Sequence, residues 1–351
     1  MNKLKIAVAI MALAGGLAAC KKNNDTIIVV PPSDGTQLQL KGLIANEAGS
    51  SAGNSVYVDL STATQVVAAR SSWDLGFYTG SDFRVILNNT TSATAKMINK
   101  NDLAQVGTAD TVGLNKLAIG YDAASLALID DIRGNLSKTV IAAVSETATD
   151  NKVYIVNCGT GGSVAARSFY KIRVLRKGTG YTLQYAKLEE TTFKTIDVTK
   201  DSQYDFSYVS FDNGLVKVAP EKGNWDFVWG YTMFETALGA TMIPYASSDF
   251  ITINSRNGVQ VSEVLTSTVS YADFKDSMLT KITFSSAIDS LGTRWRTASA
   301  TAGQSGVKKD RFYVIKDAAG NYYKLKFMSF HGDDGGTRGK PELEYKLVKK
   351  G

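Results

Sequence analysis

Two stretches of this chain read almost alike: SSWDLGFYTG, residues 71–80, and GNWDFVWGYT, residues 223–232. The likeness continues downstream. SDFRVILNN (81–89) is answered by SDFITINSRNG (248–258), and KVYIV (152–156) by RFYVI (311–315). SFYKIRVL (168–175) is answered by NYYKLKFM (321–328), and YTLQYAKL (181–188) by PELEYKLV (341–348). Five segments recurring in one order mark an internal duplication. Whatever the first copy folds into, the second must fold into as well. The expected division is one unit over residues 38–190 and another over 191–351.

Each repeated segment alternates apolar and polar residues and is rich in β-branched and aromatic side chains, the pattern of half-buried strands. In NYYKLKFM, Tyr323, Leu325 and Phe327 fall on one face, and Lys324, Lys326 and Met328 on the other. DAAGN (317–321) reads as a hairpin turn, and Pro341 opens a strand, where its missing N–H costs least. The last three strands of each unit predict an antiparallel meander. Helix is expected only in short insertions, at residues 123–134 and at residues 270–279, with Ser270 as N-cap. The fold class is therefore mostly β: two tandem antiparallel units with few short helices. In each Trp-Asp pair the tryptophan is expected to pin one layer on another, and the aspartate to accept hydrogen bonds from a neighbouring turn.

The N-terminus predicts a different fate. Lys3 and Lys5 precede an uncharged apolar run, Ile6 to Ala19, too short to span a bilayer and suited to a secretory signal. Leu17-Ala18-Ala19-Cys20 resembles a bacterial lipobox, so Cys20 is the expected lipidation site after removal of residues 1–19. Acyl chains there would anchor the protein at about 0.8 kcal/mol per buried CH₂. Residues 20–37, with Pro31-Pro32, read as a tether. Ile27 to Val30 is weak as a strand. The expected location is the outer membrane of a Gram-negative bacterium; the basic residues after Cys20 leave the choice of leaflet, and so the cell surface, open.

Hydrophobic residues at 44% and charged residues at 21% describe a globular chain. The net charge of +6 is small and scattered, so no nucleic-acid footprint is expected. With Cys20 lipidated, only Cys158 remains, which excludes an internal disulfide and reads as a buried thiol at a strand end. His331 is the only histidine. GDDGG (332–336) offers two adjacent carboxylates, short of a calcium site. Nucleophile elbows, zinc helices and phosphate loops are missing from the sequence, and no carboxylate pair stands out, so no catalytic residue is assigned and an enzyme is not expected.

The Trp73-Asp74-Leu75-Gly76-Phe77 and Arg84 to Asn88 segments, Trp225-Asp226-Phe227, Phe312 to Ile315, and YVIKDAAGNYYKLKFMSF leading to Gly339, Pro341, Glu344 and Tyr345 resemble the HmuY family of bacterial haem-binding lipoproteins. The resemblance covers most of the mature chain, once per unit, and its motifs are strand patterns that specify fold better than function. It implies an all-β fold on a lipid anchor and a non-enzymatic carrier of haem that cooperates with a TonB-dependent outer-membrane receptor. The family's two-histidine ligation of iron is impossible within this chain. Methionine thioethers are the alternative. Met242 and Met278 fall in the region where the family places its ligands, and with His331 they are the haem-ligand candidates; no metal beyond haem iron is expected. The same residues also read as packing: Met278 lies at helical spacing from Phe274, and His331 sits in a polar loop. Met233 and Met328 read as core, and Met97 as loop or packing. The competing function is a non-haem surface-binding or structural lipoprotein that takes glycan, peptide or a partner protein.

Overall fold

The computed structural model describes residues 31–114 and 117–351. The signal segment, Cys20, the start of the tether and the Ile27–Val30 run lie outside the described residues. Pro32–Gly351 forms one compact body.

The strands run β1 (Gly35–Gln39), β2 (Asn54–Asp59), β3 (Thr64–Ala69), β4 (Leu75–Tyr78), β5 (Val85–Leu87), β6 (Thr94–Ile98) and β7 (Val153–Asn157). They continue with β8 (Tyr170–Lys177), β9 (Gly180–Lys187), β10 (Lys194–Val198), β11 (Phe206–Ser210), β12 (Gly214–Val216), β13 (Phe227–Leu238) and β14 (Thr241–Ile253). The last are β15 (Gln260–Leu265), a two-residue pair β16 (Arg296–Thr297) and β17 (Gly306–Val307), then β18 (Arg311–Lys316), β19 (Tyr322–Ser329) and β20 (Glu342–Lys349). The pairing is antiparallel throughout these strands. The fold is mostly β, as the alternation predicts.

The duplication is visible in the strand order. One five-stranded sheet runs β10-β9-β8-β7-β6 and its counterpart β1-β20-β19-β18-β15. One four-stranded sheet runs β12-β11-β4-β5 and its counterpart β3-β2-β13-β14. The two series match strand for strand, with one difference of connection. In the first round the strands that close the sheets, β10 to β12, follow the rest. In the second round the equivalent strands, β1 to β3, come from the N-terminus. Residues 35–37, read from the sequence as tether, thus belong to β1 and pair with Glu344 to Lys346. Each round has its own core. One contains Leu75, Phe77, Ile172, Leu183 and Phe211; the other contains Val58, Phe227, Trp229, Trp295, Tyr323 and Leu343.

The Trp-Asp aspartates act as the sequence predicts. Asp74 accepts the Phe211 N–H at 2.7 Å, in the turn after β11, and Asp226 accepts the Leu60 N–H at 2.8 Å, in the turn after β2. An asparagine completes each clamp. Asn88 Nδ2 donates to the carbonyls of Arg70 and Trp73, both at 2.7 Å. Asn254 Nδ2 donates to those of Lys222 (2.8 Å) and Trp225 (2.9 Å).

The outward lysines are a surprise of the same kind. Lys171 and Lys324 occupy equivalent places in β8 and β19, and both are buried. Lys171 Nζ donates to the Val106 carbonyl, and Lys324 Nζ to those of Tyr271, Ala272 and Phe274. A buried ammonium needs such acceptors. This explains why residues 270–279 do not form the expected helix. An α-helix would use those carbonyls internally, whereas here they turn to Lys324. Ser270 does cap a turn, with its Oγ accepting the Asp273 N–H, and a short 3-10 turn follows at Asp276–Lys281. Phe274 and Met278 pack together over β18, as their spacing suggests.

Residues 123–134 also fall short of an α-helix. A 3-10 segment covers Ala123–Leu128, capped by Asp122. It stops because Asp130 is drawn to β5, where it accepts the Leu87 N–H (2.6 Å), and it also accepts the Val140 N–H (2.8 Å). Met328 is a further correction: it is partly exposed on β19, because it shares the outward face with Lys324 and Lys326 while Tyr323, Leu325 and Phe327 take the core.

Candidate functional site

A cavity of about 420 Å³ opens where the β4–β5 and β13–β14 pairs approach one another, roofed by residues 129–136. Its walls are largely apolar, with Ile86, Ile129, Ile132, Phe206, Val228 and Ile288 among them. Two aromatic pairs related by the duplication stand at its wall. Trp73 packs edge-on against Tyr208, with ring centroids 4.9 Å apart, and Trp225 against Tyr57 at 5.2 Å. The two tyrosines occupy equivalent places in β11 and β2, and their phenol groups interact. Burial pushes both phenols well above their ordinary value. Desolvation thus favours the neutral, hydrogen-bonding form of each phenol. Tyr57, Tyr208 and Trp225 line the cavity.

The roof is pinned at three points. Asp130 is bonded to β5 as described, and burial pushes its carboxyl up to about 6 even though two N–H groups oppose the shift. Arg256 donates to the Gly134 carbonyl at 3.1 Å and lies over the rings of Tyr78 and Phe206. Arg133 pairs with Glu235 and lies 3.8 Å from Asp289. Arg133 and Arg256 are the two guanidinium groups on the cavity wall. Such a combination, an apolar body with a few fixed charges, is the usual make-up of a small-molecule site.

The candidates read from the sequence stand elsewhere. Met242 is the second residue of β14, just past the two-residue turn Gly239-Ala240, and is exposed. Gly239 takes a positive φ of 61°, which lets that turn close the hairpin. Met278 packs with Phe274, Phe312 and Val314 on the outer side of β18. His331 caps the 3-10 turn Gly332–Asp334, its Nδ1 accepting the Asp333 N–H at 3.2 Å. None of the three lines the cavity. Asp334 is spent on the N–H groups of Val307, Phe330 and His331. Cys158 is buried just past β7, and burial pushes its thiol far up, so it is inert.

The cavity does contain one sulfur. Met233 of β13 is buried, lines the cavity, and its Sδ accepts the Ser92 hydroxyl at 2.9 Å. Its alternation within an aromatic strand reads as core, and it is core; nothing in that pattern distinguishes a core thioether from one bordering a cavity. Arg256 and Asp130 were equally silent, since the contacts that fix the roof, Arg256 with Gly134 and Asp130 with Leu87, join residues 122 and 43 positions apart in sequence.

The family model for HmuY protein matches residues 51–345, a stretch that runs through both rounds of the duplication. The chain belongs to the HmuY family. No curated protein and no solved structure compared with it matches. For this HmuY-family chain the cavity offers a porphyrin apolar walls and two guanidinium groups for its carboxylates. It offers one thioether and no imidazole for iron.

Proposed function

We propose that the chain is a membrane-anchored protein that binds haem or a related porphyrin and passes it to a TonB-dependent outer-membrane receptor. The observation that carries this reading is the HmuY match over residues 51–345, a span that contains the cavity. Binding rather than catalysis is the role it supports. The macrocycle lies against the apolar walls, and Arg133 and Arg256 meet its propionates through charge-assisted hydrogen bonds. We assign the iron-facing thioether to Met233 in place of Met242, Met278 or His331, because only Met233 borders the cavity. A thioether favours the softer, reduced iron. The lipid anchor at Cys20 and the outer-membrane location belong to the same proposal.

The test is titration of the protein, lacking residues 1–19, with haem under reducing and oxidising conditions. A shifted, saturable Soret band, stronger on reduction, is expected. No spectral change in either state overturns the haem reading and leaves the competing one, a lipoprotein that binds glycan, peptide or a partner protein.

A further inference from the structure

A second cavity, of about 410 Å³, lies between the β13–β14 hairpin and residues 289–298, and it is of a different character. Arg294, Arg296 and Arg338 line it, together with Asp289, Glu235 and the half-exposed ring of Tyr245. Behind it stands Asp249, which is buried. Asp249 Oδ2 accepts both Nε and Nη2 of Arg338 at 3.0 Å, and Arg296 Nε lies 3.9 Å from the same oxygen. Arg296 is held further by the carbonyls of Ser248 and Asp249. These contacts fix both guanidinium planes. They leave Nη1 of Arg296 and Nη1 of Arg338 without a hydrogen bond among the described residues.

The local backbone is built for this arrangement. The pairing of β13 with β14 slips between Gly230 and Thr232, so that β14 carries an extra residue, and Asp249 sits there with a φ of 52°. A non-glycine residue at positive φ is strained, and a bulge re-aims a side chain. Here it turns a carboxylate inward, where Oδ1 is buried with no hydrogen-bond partner. Such an outlay in strain and unmet hydrogen bonding has no counterpart in the first round: β4 and β5, the equivalents of β13 and β14, are four and three residues long and end before any such bulge.

The lining favours an anion. Arg294, Arg296 and Arg338 line the cavity against the carboxylates of Glu235 and Asp289, with Asp249 buried behind Arg296 and Arg338. Burial loosens the proton of Arg296, Asp249 opposes that, and the nearby Arg338 adds repulsion. Two guanidinium groups that repel one another, each held rigid and each with free donors, are stabilised by an oxyanion placed between them.

We infer that this cavity is a binding site for a compact oxyanion, a carboxylate or a phosphate, gripped by Arg296 and Arg338 with Asp249 as their fixed support. The site stands independently of the porphyrin cavity, from which the Arg133–Glu235 ion pair divides it.

Isothermal titration of the haem-free protein with inorganic phosphate and, separately, with glucuronate tests the assignment, at low and at high salt. Saturable binding of at least one probe is expected, weakening as salt screens the charges; the probe that binds more tightly identifies the source of the oxyanion. Arg338→Lys and Arg296→Lys keep a cation beside Asp249 but remove the planar fork. Each is expected to weaken binding at least tenfold while the far-ultraviolet circular dichroism spectrum and the haem titration stay as they are. Absence of binding by both probes overturns the assignment, and so does undiminished binding in two lysine variants that remain folded.

Discussion

Asp226 and Leu60 are 166 residues apart, and the Asp226 carboxylate accepts the Leu60 N–H at 2.8 Å. No cation accompanies that contact, unlike the equivalent one at Asp74. Burial pushes the Asp226 carboxyl from 3.8 up to about 8, and Asp59 and Asp317 reinforce the rise. The folded state therefore holds a proton that the unfolded chain releases above pH 4. The resulting stabilisation is complete below the unfolded value and is lost as pH rises through about 8. Asp226→Asn keeps an acceptor for Leu60 and removes the titration. Urea midpoints measured from pH 5 to pH 9 should fall in the parent and flatten in the variant; parallel curves would show that Asp226 does not titrate in this range.

Asp74 makes the opposite case. Arg167 pairs with it at 2.5 Å and also reaches Asp212 at 2.9 Å. Arg167→Met leaves a buried carboxylate with the Phe211 N–H as a remaining partner, and the expected loss is about 2 kcal/mol by denaturant unfolding, below the figure for a fully buried pair because Arg167 is partly exposed. No loss would place the weight of this clamp on Asn88 instead.

Lys324 is expected to hold residues 271–279 in place. Lys324→Met removes the donor and leaves the carbonyls of Tyr271, Ala272 and Phe274 facing apolar surface. Hydrogen exchange in this segment should speed up at least tenfold while exchange in β18 and β19 changes less. Equal acceleration everywhere would indicate a global effect.

Gly42 lies where a methyl group would overlap the Trp229 ring and the Gly339 carbonyl. Trp229 is fully buried, so it has little room to yield. Gly42→Ala should cost about 1–3 kcal/mol through overpacking. Thermal unfolding measures this directly, and a neutral result would mean that the β1–β2 connection shifts freely.

Met233→Ala is the sharpest probe of the proposed porphyrin site. It should weaken the Soret shift of reduced haem at least tenfold, and Met242→Ala should leave it unchanged. The reverse pattern would move the ligand to the β13–β14 tip.

The strand pattern of this chain was legible because a half-buried strand advertises its buried face at every second residue. Tyr323, Leu325 and Phe327 were assigned to the core on that ground alone, and the two Trp-Asp clamps followed from the repeat. Lys324 was not legible, since a buried lysine and a solvated one look alike in an alternating strand. The cavity roofed by residues 129–136 was hidden for a related reason. Its walls are ordinary strand residues such as Ile86 and Val228, and only the meeting of the two rounds turns them into a pocket. Met242 was singled out because it falls where the resemblance places the ligands, but the β13–β14 hairpin leaves it exposed beside a tight turn.

The borrowing of β1 to β3 by the second round bears on how the protein is made. Gln39 reaches Glu342, 303 residues later. During synthesis β1 emerges with its pairing edge unfilled and stays so until β20, close to the last residue, has appeared. Closure of so long a loop makes for slow folding and prolonged exposure of strand edges. A circularly permuted gene, with a short linker from Gly351 to Pro32 and new ends near Pro220, would let each lobe finish from contiguous chain.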